Sequence, residues 1–515
     1  MFIDSDWDAD ELFGKVAEVE GILPSLEIFS AEVASELSGL TVTPLMFRRM
    51  GGMWLLHLVH QVAAMQFTVE SYSDLEQVTV PFDSWTHHLQ FLQSTDYQRQ
   101  VWTLAHHLRA RSAGKDVSYV VAIEPMTSMS KVRHTFERVA QTFRDPTTKV
   151  MISRPYLKLS KLNRLRAITQ TSGLAYWDDL ESVHLLRPEV DTKQRNRLGS
   201  VASASNLESK LRSLIPHVIP VAYGESLGNL STYFASKYKR PKALYSANGS
   251  QFHLPYQILS AVWGERGTQI LSHQHGGHQG LDELCAGESY EVRASNRHYT
   301  LGWMGDSGNT RALPAAMPQR VHRQTKHRLL LMSISQTDVI YRLQPFCMPT
   351  HARRCIAETQ DFLENLVWPT TPVIRGSTRD LAALNPTISF KHEDLHDVGT
   401  ISASRSGLVL HNYFGVSWLE TLAMNIPTVC FVPAGIHRFR AAAQPFVDAL
   451  VRVGVIHHSG REAAKFVNSL RGDPSSWWGS SEVQEAREAF VARYANFSDN
   501  WLDAWQAEFE SLLAE

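Results

Sequence analysis

A segment rich in histidine and glycine, 272–280 (SHQHGGHQG), holds the densest set of side chains that could do chemistry in this chain. It follows a predicted strand, and its glycines, Gly276 and Gly277, let a backbone approach a ligand closely. His275 can donate to a phosphate or act as an acid or base, and we predict a ligand contact from Gln274 beside it. Two other interpretations stay open: a glycine turn with satisfied histidines, and a metal site built from the three histidines. No nearby carboxylate or cysteine has the usual zinc-ligand spacing, so we expect no metal.

A second segment, 411–428 (HNYFGVSWLETLAMNIPT), has the pattern of a strand, a short loop and a helix. Backbone N–H groups at the start of such a helix bind anions, and Ser417, the predicted N-cap, adds a hydroxyl donor. Glu420, one turn further on, can accept hydrogen bonds from the two hydroxyls of a ribose. Ser417 and Glu420 also match a capping box, which is compatible with binding. We predict a nucleotide mono- or diphosphate site here, formed by His411, Asn412, Ser417, Glu420 and Thr421.

Charged side chains elsewhere could complete such a site. Glu288 and Glu291 lie three residues apart and could serve as acid and base or position hydroxyl groups. A solvated, ion-paired helix face has the same pattern. Arg375 ends a predicted strand, where an arginine that binds phosphate would lie, and an ordinary surface arginine is the alternative.

Two series of apolar, β-branched segments must position these residues. The strands predicted for the first series are 117–125, 148–153, 217–224, 242–249 and 268–277, and for the second 327–335, 371–376, 387–392, 406–413, 427–433 and 454–458. Helical segments lie between them. Buried parallel strands have this composition, so each series predicts a doubly wound domain that binds its ligand at the carboxyl ends of the strands.

A linker rich in Pro, Gly and basic residues, 308–327, separates the two series. The fold class we predict is α/β, with two Rossmann-type doubly wound domains that face an interdomain cleft. The predicted domains are a helical N-terminal region (1–115), an N-terminal Rossmann-like domain with the acceptor side and the glycine-rich segment (116–310), a C-terminal Rossmann-like domain that binds the nucleotide (325–480), and C-terminal helices (481–515).

Composition and missing motifs exclude several classes. Lys and Arg total 50 against 52 Asp and Glu, so the formal net charge of -2 offers no overall attraction to nucleic acid or anionic lipid. The four cysteines form no CxxC, which favours a reducing, cytosolic setting. The acidic start lacks the pattern of a signal peptide, and the apolar stretch 53–65 is shorter than the roughly 20 residues of a membrane span, so we predict a buried helix there. P-loop and early GxGxxG patterns are absent from the sequence.

Four motifs together resemble the bacterial surface-carbohydrate-biosynthesis transferases, which are similar to the retaining β-Kdo glycosyltransferases. The motifs are QHGG-x-x-G (274–280), E-S-Y-E (288–291), Y-T-x-G-W (299–303) and S-W-L-E-T-L-A-x-N-x-P-T (417–428). The segment 47–55 (FRRMGGMWL) is similar to that family's Y-W-R-x-x-x-G-x-W-L helix. The resemblance runs from about residue 41 to the C-terminal W-x-x-x-W helix and is strongest over 243–303 and 401–433. It implies a GT-B architecture with a nucleotide-sugar donor in the C-terminal half.

The resemblance also assigns roles to particular residues. It implies that His411 and Ser417 hold the phosphate of a CMP-linked sugar, and Arg405 matches the arginine of the family's S-R before that strand. Val416 stands where relatives keep part of a hydroxyl pair, and 248–253 (NGSQFH) lacks the carboxylate that relatives tend to have after that strand. A retaining double displacement needs a carboxylate nucleophile, so another must serve, or the stereochemistry differs, or the chain is inactive. The candidates are Glu225, Asp282, Glu288 and Glu291.

With this resemblance, we predict a metal-independent glycosyltransferase without a cofactor. It would transfer Kdo or a related acidic sugar from its CMP donor to a precursor of a bacterial surface polysaccharide such as lipopolysaccharide or capsule. The expected partners are the nucleotide sugar and a glycan or lipid-linked glycan acceptor, with no nucleic acid. We expect the protein in the cytoplasm without a transmembrane segment, and peripheral association with the inner face of the membrane stays open. Two alternatives remain: a sugar-nucleotide epimerase or hydrolase on the same scaffold, and a catalytically inactive scaffold in a polysaccharide-assembly complex.

Overall fold

The computed structural model describes residues 7–68, 146–155, 173–177, 180, 190–200, 206–318, 325–335, 340, 342–393 and 399–515. The chain forms two compact units. The first contains Met1–Lys15, Gln274–Glu288 and Tyr299–Trp505, and the second contains Val16–His273, Ser289–His298 and Gln506–Glu515. The strand predicted at 117–125 lies outside the described residues, and the predicted domain boundaries remain predictions.

Strands and helices alternate along most of the described chain. The strands are β1 (Val150–Ile152), β2 (Ala175–Trp177), β3 (Ala243–Ser246), β4 (Gln269–His273), β5 (Arg297–Thr300), β6 (Thr310–Ala312), β7 (Ala315–Ala316), β8 (Thr325–Met332), β9 (Val373–Arg375), β10 (Lys391–Glu393), β11 (Ser406–His411), β12 (Thr428–Phe431), β13 (Ile456–His457) and β14 (Phe497–Ser498). The helices are α1 (Ala9–Ser38), α2 (Pro44–Thr68), α3 (Thr192–Gly199), α4 (Leu207–Val218), α5 (Leu227–Lys237), α6 (Gly249–Phe252), α7 (Leu254–Gly264), α8 (Ala286–Ala294), α9 (Pro349–Asn365), α10 (Thr378–Leu381), α11 (Gly399–Ser404), α12 (Val416–Ala423), α13 (Gln444–Arg452), α14 (Gly460–Ser469), α15 (Ser475–Trp478), α16 (Ser481–Tyr494) and α17 (Trp501–Ala514). Short 3₁₀ helices lie at Pro146–Thr148 and Val221–Tyr223.

The sheet of the first unit determines where a ligand can bind. Its strand order is β10-β9-β8-β11-β12-β13, and its strands pair in parallel. Numbered from β8, this order is the 3-2-1-4-5-6 order of a Rossmann domain. Strands β8 and β11 lie side by side at the centre, where the direction of the strand order reverses. The predicted α/β class is confirmed in this unit.

The second unit is built on parallel strands in the order β2-β1-β3-β4. Strands β1, β3 and β4 are short and almost entirely buried, as the apolar sequence segments predict. Helix α2 packs beside α7, and the Arg49 side chain lies so close to Gly264 of α7 that a Cβ there would clash with it. Two parallel sheets flanked by helices confirm the predicted GT-B-like α/β class.

The apolar stretch 53–65 lies in α2 as predicted, and the described residues 53–64 are buried. Among the residues that the structure describes, no helix combines the length and apolarity needed to cross a bilayer. The four cysteines are buried and unpaired, and burial raises the pKa of Cys285, Cys355 and Cys430.

One predicted strand is wrong. Residues 217–224 (HVIPVAYG) do not form a strand: they end α4 and continue through the 3₁₀ turn Val221–Tyr223. Arg195 donates hydrogen bonds from Nη1 to the carbonyl oxygens of Pro216 (3.2 Å) and Ile219 (2.9 Å). A buried arginine thus satisfies the carbonyls at the end of this helix, and a short apolar run alone does not distinguish such a segment from a strand.

The core of the first unit is closed by aromatic stacking between a helix and the sheet. Phe362 of α9 stacks on Phe431 of β12, with ring centroids 5.1 Å apart and an angle of 14° between the planes. Both side chains are fully buried.

Replacing Phe362 with alanine removes this ring and leaves a cavity beside β12. We expect a loss of about 3–5 kcal/mol in the free energy of unfolding of the first unit. Urea titration followed by fluorescence measures it. Val367→Ala, at a side chain that is 75% exposed nearby in the chain, is the control and should change little.

Candidate functional site

Carboxyl ends of neighbouring strands bring two predicted site residues to one edge of the sheet in the first unit. Met332, the last residue of β8, pairs with Arg375 on one side and with His411 on the other. Arg375 and His411, the two predicted site residues, are therefore two strand spacings apart, about 10 Å. The strand order reverses between β8 and β11, and open parallel sheets bind ligands at such a switch point.

Asn412 holds the two central strands together just beyond their ends. Its Oδ1 accepts a hydrogen bond from the backbone N–H of Ile334 (2.7 Å), and its Nδ2 donates to Ser333 Oγ (3.1 Å) and Thr359 Oγ1 (2.8 Å). The side chain is fully buried. The structure therefore gives Asn412, predicted to bind the donor, a structural role at the switch point.

Helix α12 begins two residues earlier than the sequence predicts. Its N-cap is Gly415, in extended conformation, and it makes no side-chain capping bond. The predicted N-cap at Ser417 is therefore wrong, and so is the capping box with Glu420. Ser417 is instead the second helical residue, partly exposed, with its Oγ 3.5 Å from the hydroxyl of Tyr413. It still lies in the first turn, where the first backbone N–H groups of a helix precede its hydrogen-bond ladder.

Three predicted donor-binding residues of this segment are buried behind the helix start. His411 is fully buried, with its Nε2 3.1 Å from Thr421 Oγ1, and Thr421 also donates to the carbonyl of Trp418 (2.9 Å). Burial lowers the pKa of His411 to about 3, so the ring is neutral at physiological pH. It cannot place a positive charge beside a phosphate, and it supports α12 from the strand below. Glu420 is 4% exposed on the second turn of α12.

The glycine-rich loop 274–280 packs directly against the start of α12. A Cβ on Gly277 would lie 2.4 Å from the carbonyl carbon of Gly415, so the two backbones are in contact and only glycine fits. A Cβ on Gly276 would meet nothing closer than 3.9 Å, because that residue faces a more open region. His275 is partly exposed. The two segments that the sequence singles out thus form one surface.

Gln274 and Glu288 hold this loop in shape. Gln274 Oε1 accepts from the backbone N–H of Leu301 (2.9 Å) and from Trp303 Nε1 (2.8 Å), and its Nε2 donates to the carbonyl of Gly276 (2.9 Å). Glu288 accepts from the backbone N–H of Gly280 and from Arg440 Nη2, both at 2.7 Å. The side-chain oxygens of Gln274 and Glu288 therefore accept hydrogen bonds from the protein and fix the loop, and they do not face a ligand.

Asp282 lies beside His278, one of the three histidines considered above for a metal site, and beside His437, which the sequence analysis did not single out. Its carboxylate is 1% exposed, with Oδ2 2.7 Å from His278 Nδ1 and Oδ1 2.8 Å from His437 Nδ1. A backbone bridge between Asp282 and Phe439 sets this geometry. The spacing of His278 and Asp282 by four residues is a signal that could have been used, whereas His437 comes from a distant segment.

This cluster has the geometry of a hydrogen-bonded group. In the described part of the chain, His278, Asp282 and His437 are the group of three whose donor atoms lie within 4.8 Å of one another. The two imidazole planes are stacked at 13°, with centroids 5.8 Å apart. A lone pair on Nδ1 lies in the plane of its ring, and nearly parallel stacked planes do not converge on one ion. The N–O separations are those of charge-assisted hydrogen bonds.

The remaining predicted carboxylates lie in the second unit and have structural partners. Glu225 forms a bidentate pair with Arg195, at 2.7 and 2.8 Å, and both side chains are at most 9% exposed. Glu291 is 1% exposed and accepts from Gln251 Nε2 (2.6 Å).

The two predicted arginines lie at different places. Arg375, at the carboxyl end of β9, is buried with its Nη1 3.4 Å from Glu393 Oε1. Arg405 is exposed and directly precedes β11. It lies at the amino end of the strand that His411 ends, so the structure does not bring Arg405 to the site.

Comparison with known proteins gives a family and several distant structures. The family described as LIC12162 family transferase matches residues 52–509. Among curated proteins, no relative matches the chain. The chain is similar to the structure of Acinetobacter baumannii MurG (9% identity, covering 70% of this chain and 99% of that one, TM-score 0.35) and to a glycosyltransferase from Rickettsia africae ESF-5 (10% identity, 72% and 99%, TM-score 0.38). It is also similar to the glycosyltransferase VinC in complex with DTDP (12% identity, 71% and 99%, TM-score 0.36). These values are too low to assign a substrate to this chain.

Substituting alanine for Gly277 tests the contact between the loop and α12. The new methyl group would overlap the Gly415 backbone, so we expect a loss of several °C in thermal midpoint, equivalent to about 1–3 kcal/mol. Gly276→Ala is the matched control, because its methyl group has room. Equal midpoints for the two variants would contradict the contact.

Removing the carboxylate of Glu225 tests its structural assignment. Glu225→Ala leaves Arg195 as an uncompensated buried charge, and we expect a loss of about 3–5 kcal/mol in unfolding free energy. Glu36→Ala breaks an exposed ion pair with Arg197 and should cost less than about 1 kcal/mol. Chemical denaturation of both variants gives the comparison; a fully stable Glu225→Ala protein would speak against the assignment.

Proposed function

Because the chain belongs to the LIC12162 family of transferases, we propose that it is a glycosyltransferase whose nucleotide-sugar donor binds at the carboxyl edge of the sheet in the first unit. One observation carries this proposal. The switch point of a 3-2-1-4-5-6 sheet coincides with the start of α12, and the glycine-rich loop packs on that start.

The start of α12 provides the site for the donor phosphate. Trp418 donates its backbone N–H to the carbonyl of Gly415 (3.2 Å), whereas the N–H groups of Val416 and Ser417 precede the first helical acceptor. The helix dipole adds positive potential there. Ser417 adds a partly exposed hydroxyl on the same turn. The neutral, buried His411 and Thr421 hold the helix in place from behind. Catalysis by fixed dipoles of this kind needs no metal ion, so we propose a metal-independent transfer.

The nearest predicted cation at this edge is Arg375, at the carboxyl end of β9, and it pairs with Glu393. The CMP-linked donor that we propose rests on the sequence resemblance. The same resemblance is the basis for the other parts of the proposal. The sugar is Kdo or a related acidic sugar, and the acceptor is a glycan or lipid-linked glycan for a bacterial surface polysaccharide made in the cytoplasm.

Calorimetry with the full chain tests the donor site. We expect CMP and CMP-Kdo to bind in the presence of EDTA, and UDP and TDP to bind more weakly. Ser417→Glu places a negative charge beside the phosphate, so CMP affinity should fall at least about tenfold.

Ser476→Glu is the matched control, since Ser476 is an exposed second residue of another helix in the same unit and its variant should bind normally. If the wild-type protein binds no nucleotide, or if Ser417→Glu binds CMP as tightly as wild type does, the proposed site is refuted.

A further inference from the structure

The cluster of His278, Asp282 and His437 has a defined arrangement of protons. Burial raises the pKa of Asp282, but the hydrogen bonds from His278 and His437 lower it further, so its carboxylate is ionised. Burial lowers the pKa of His437 more than Asp282 raises it, so that ring is neutral. An ionised carboxylate can only accept, so each histidine donates from Nδ1. The basic atom of each ring is therefore Nε2.

The two histidines differ in access. His437 is 4% exposed, and its buried Nε2 has no hydrogen-bond partner among the described residues. Three aromatic rings surround it: Phe346, Phe414 and Phe439, with centroids at 4.6, 4.9 and 5.4 Å. His278 is 17% exposed. Of the two rings, that of His278 is therefore the more accessible to a ligand.

The position of His278 connects it with the proposed donor site. It directly follows Gly277, whose backbone touches Gly415 at the start of α12. Its ring contacts Phe346 (centroids 5.2 Å), and Phe346 contacts Tyr413 (6.0 Å), which lies next to Ser417. One line of contacts within the first unit therefore runs from Ser417 to His278.

The backbone at Phe346 is strained. Its φ of 61° lies in the left-handed region, which bulky residues rarely adopt. Strained residues of this kind cluster at functional sites because the surrounding contacts hold them there. Phe346 contacts both histidines of the cluster, so the strain is located where the cluster faces the line of contacts to Ser417.

The four candidate carboxylates are poorly placed to act as a nucleophile on the sugar. Glu225 and Glu288 are held by arginines, and Glu291 is held by an amide. Asp282 is 1% exposed between two rings. A double displacement needs a carboxylate that reaches the anomeric carbon, whereas a single displacement needs only a base for the acceptor hydroxyl.

We propose that Nε2 of His278 is the base that takes the proton from the acceptor hydroxyl, with Asp282 as the positioning residue. This inference rests on the proposed function. The acceptor oxygen forms a bond to the anomeric carbon as its proton moves to Nε2, and the bond from that carbon to the phosphate oxygen breaks. The electron pair leaves with the nucleotide, and the configuration at the carbon inverts. Asp282 stabilises the imidazolium through its Nδ1–H, and the proton then passes to solvent. This outcome differs from the retaining reaction that the sequence resemblance implies.

His278→Asn tests the base without removing its hydrogen bond, because the amide N–H can still donate to Asp282. The assay uses the full chain with CMP-Kdo as donor and methanol as acceptor, follows CMP release, and determines the anomeric configuration of the methyl glycoside by NMR. We expect kcat to fall about 10²–10⁴-fold with unchanged CMP affinity in calorimetry. Added imidazole should restore part of the activity of His278→Ala. His458→Asn, at an exposed histidine of the same unit, is the control with wild-type activity.

Asp282→Asn tests positioning. We expect a lower kcat with an unchanged KM for CMP-Kdo, and partial recovery in Asp282→Glu. A purely structural role would instead lower the thermal midpoint and raise KM.

A wild-type kcat in His278→Asn, or a methyl glycoside with retained configuration, overturns the assignment of His278. If the wild-type protein does not bind CMP, the proposed function itself is refuted. Calorimetry measures this binding separately from the assay of CMP release.

Discussion

The backbone contact between Gly277 and Gly415 is the constraint on which the site depends. Residue 277 has no room for a side chain, so the glycine-rich loop can lie flat on the start of α12. That contact joins the loop to the switch point of the sheet within the first unit. The placement of Ser417 near the loop, and of His278 one residue beyond it, follows from this contact.

Much of the sheet in the first unit was predictable from sequence, because its strands are apolar and buried on both faces. The segments 327–335 and 406–413 contain β8 and β11, and the strand–loop–helix pattern after His411 is present. Prediction was weaker where tertiary packing determines the secondary structure of a segment. The segment RHYT forms β5 without an apolar run, and 217–224 ends a helix because Arg195 satisfies its carbonyls.

The site was predictable by location more than by residue role. Asn412, Thr421, Gln274 and Glu288 are polar residues near the expected ligand, yet their hydrogen bonds go to the protein. A sequence does not show whether a polar side chain points to a ligand or to a backbone group, because both uses select the same residue types. His437 could not be found from local spacing, since a bridge between distant backbone segments brings it to Asp282.

The buried thiols have a practical consequence for studying this chain. Thiolates are the reactive form of cysteine, and burial raises the pKa of three of the four thiols. Maleimide dyes should therefore react slowly with the native cysteines of the folded protein. A cysteine introduced on the surface would then accept a single fluorophore selectively, without first replacing those four.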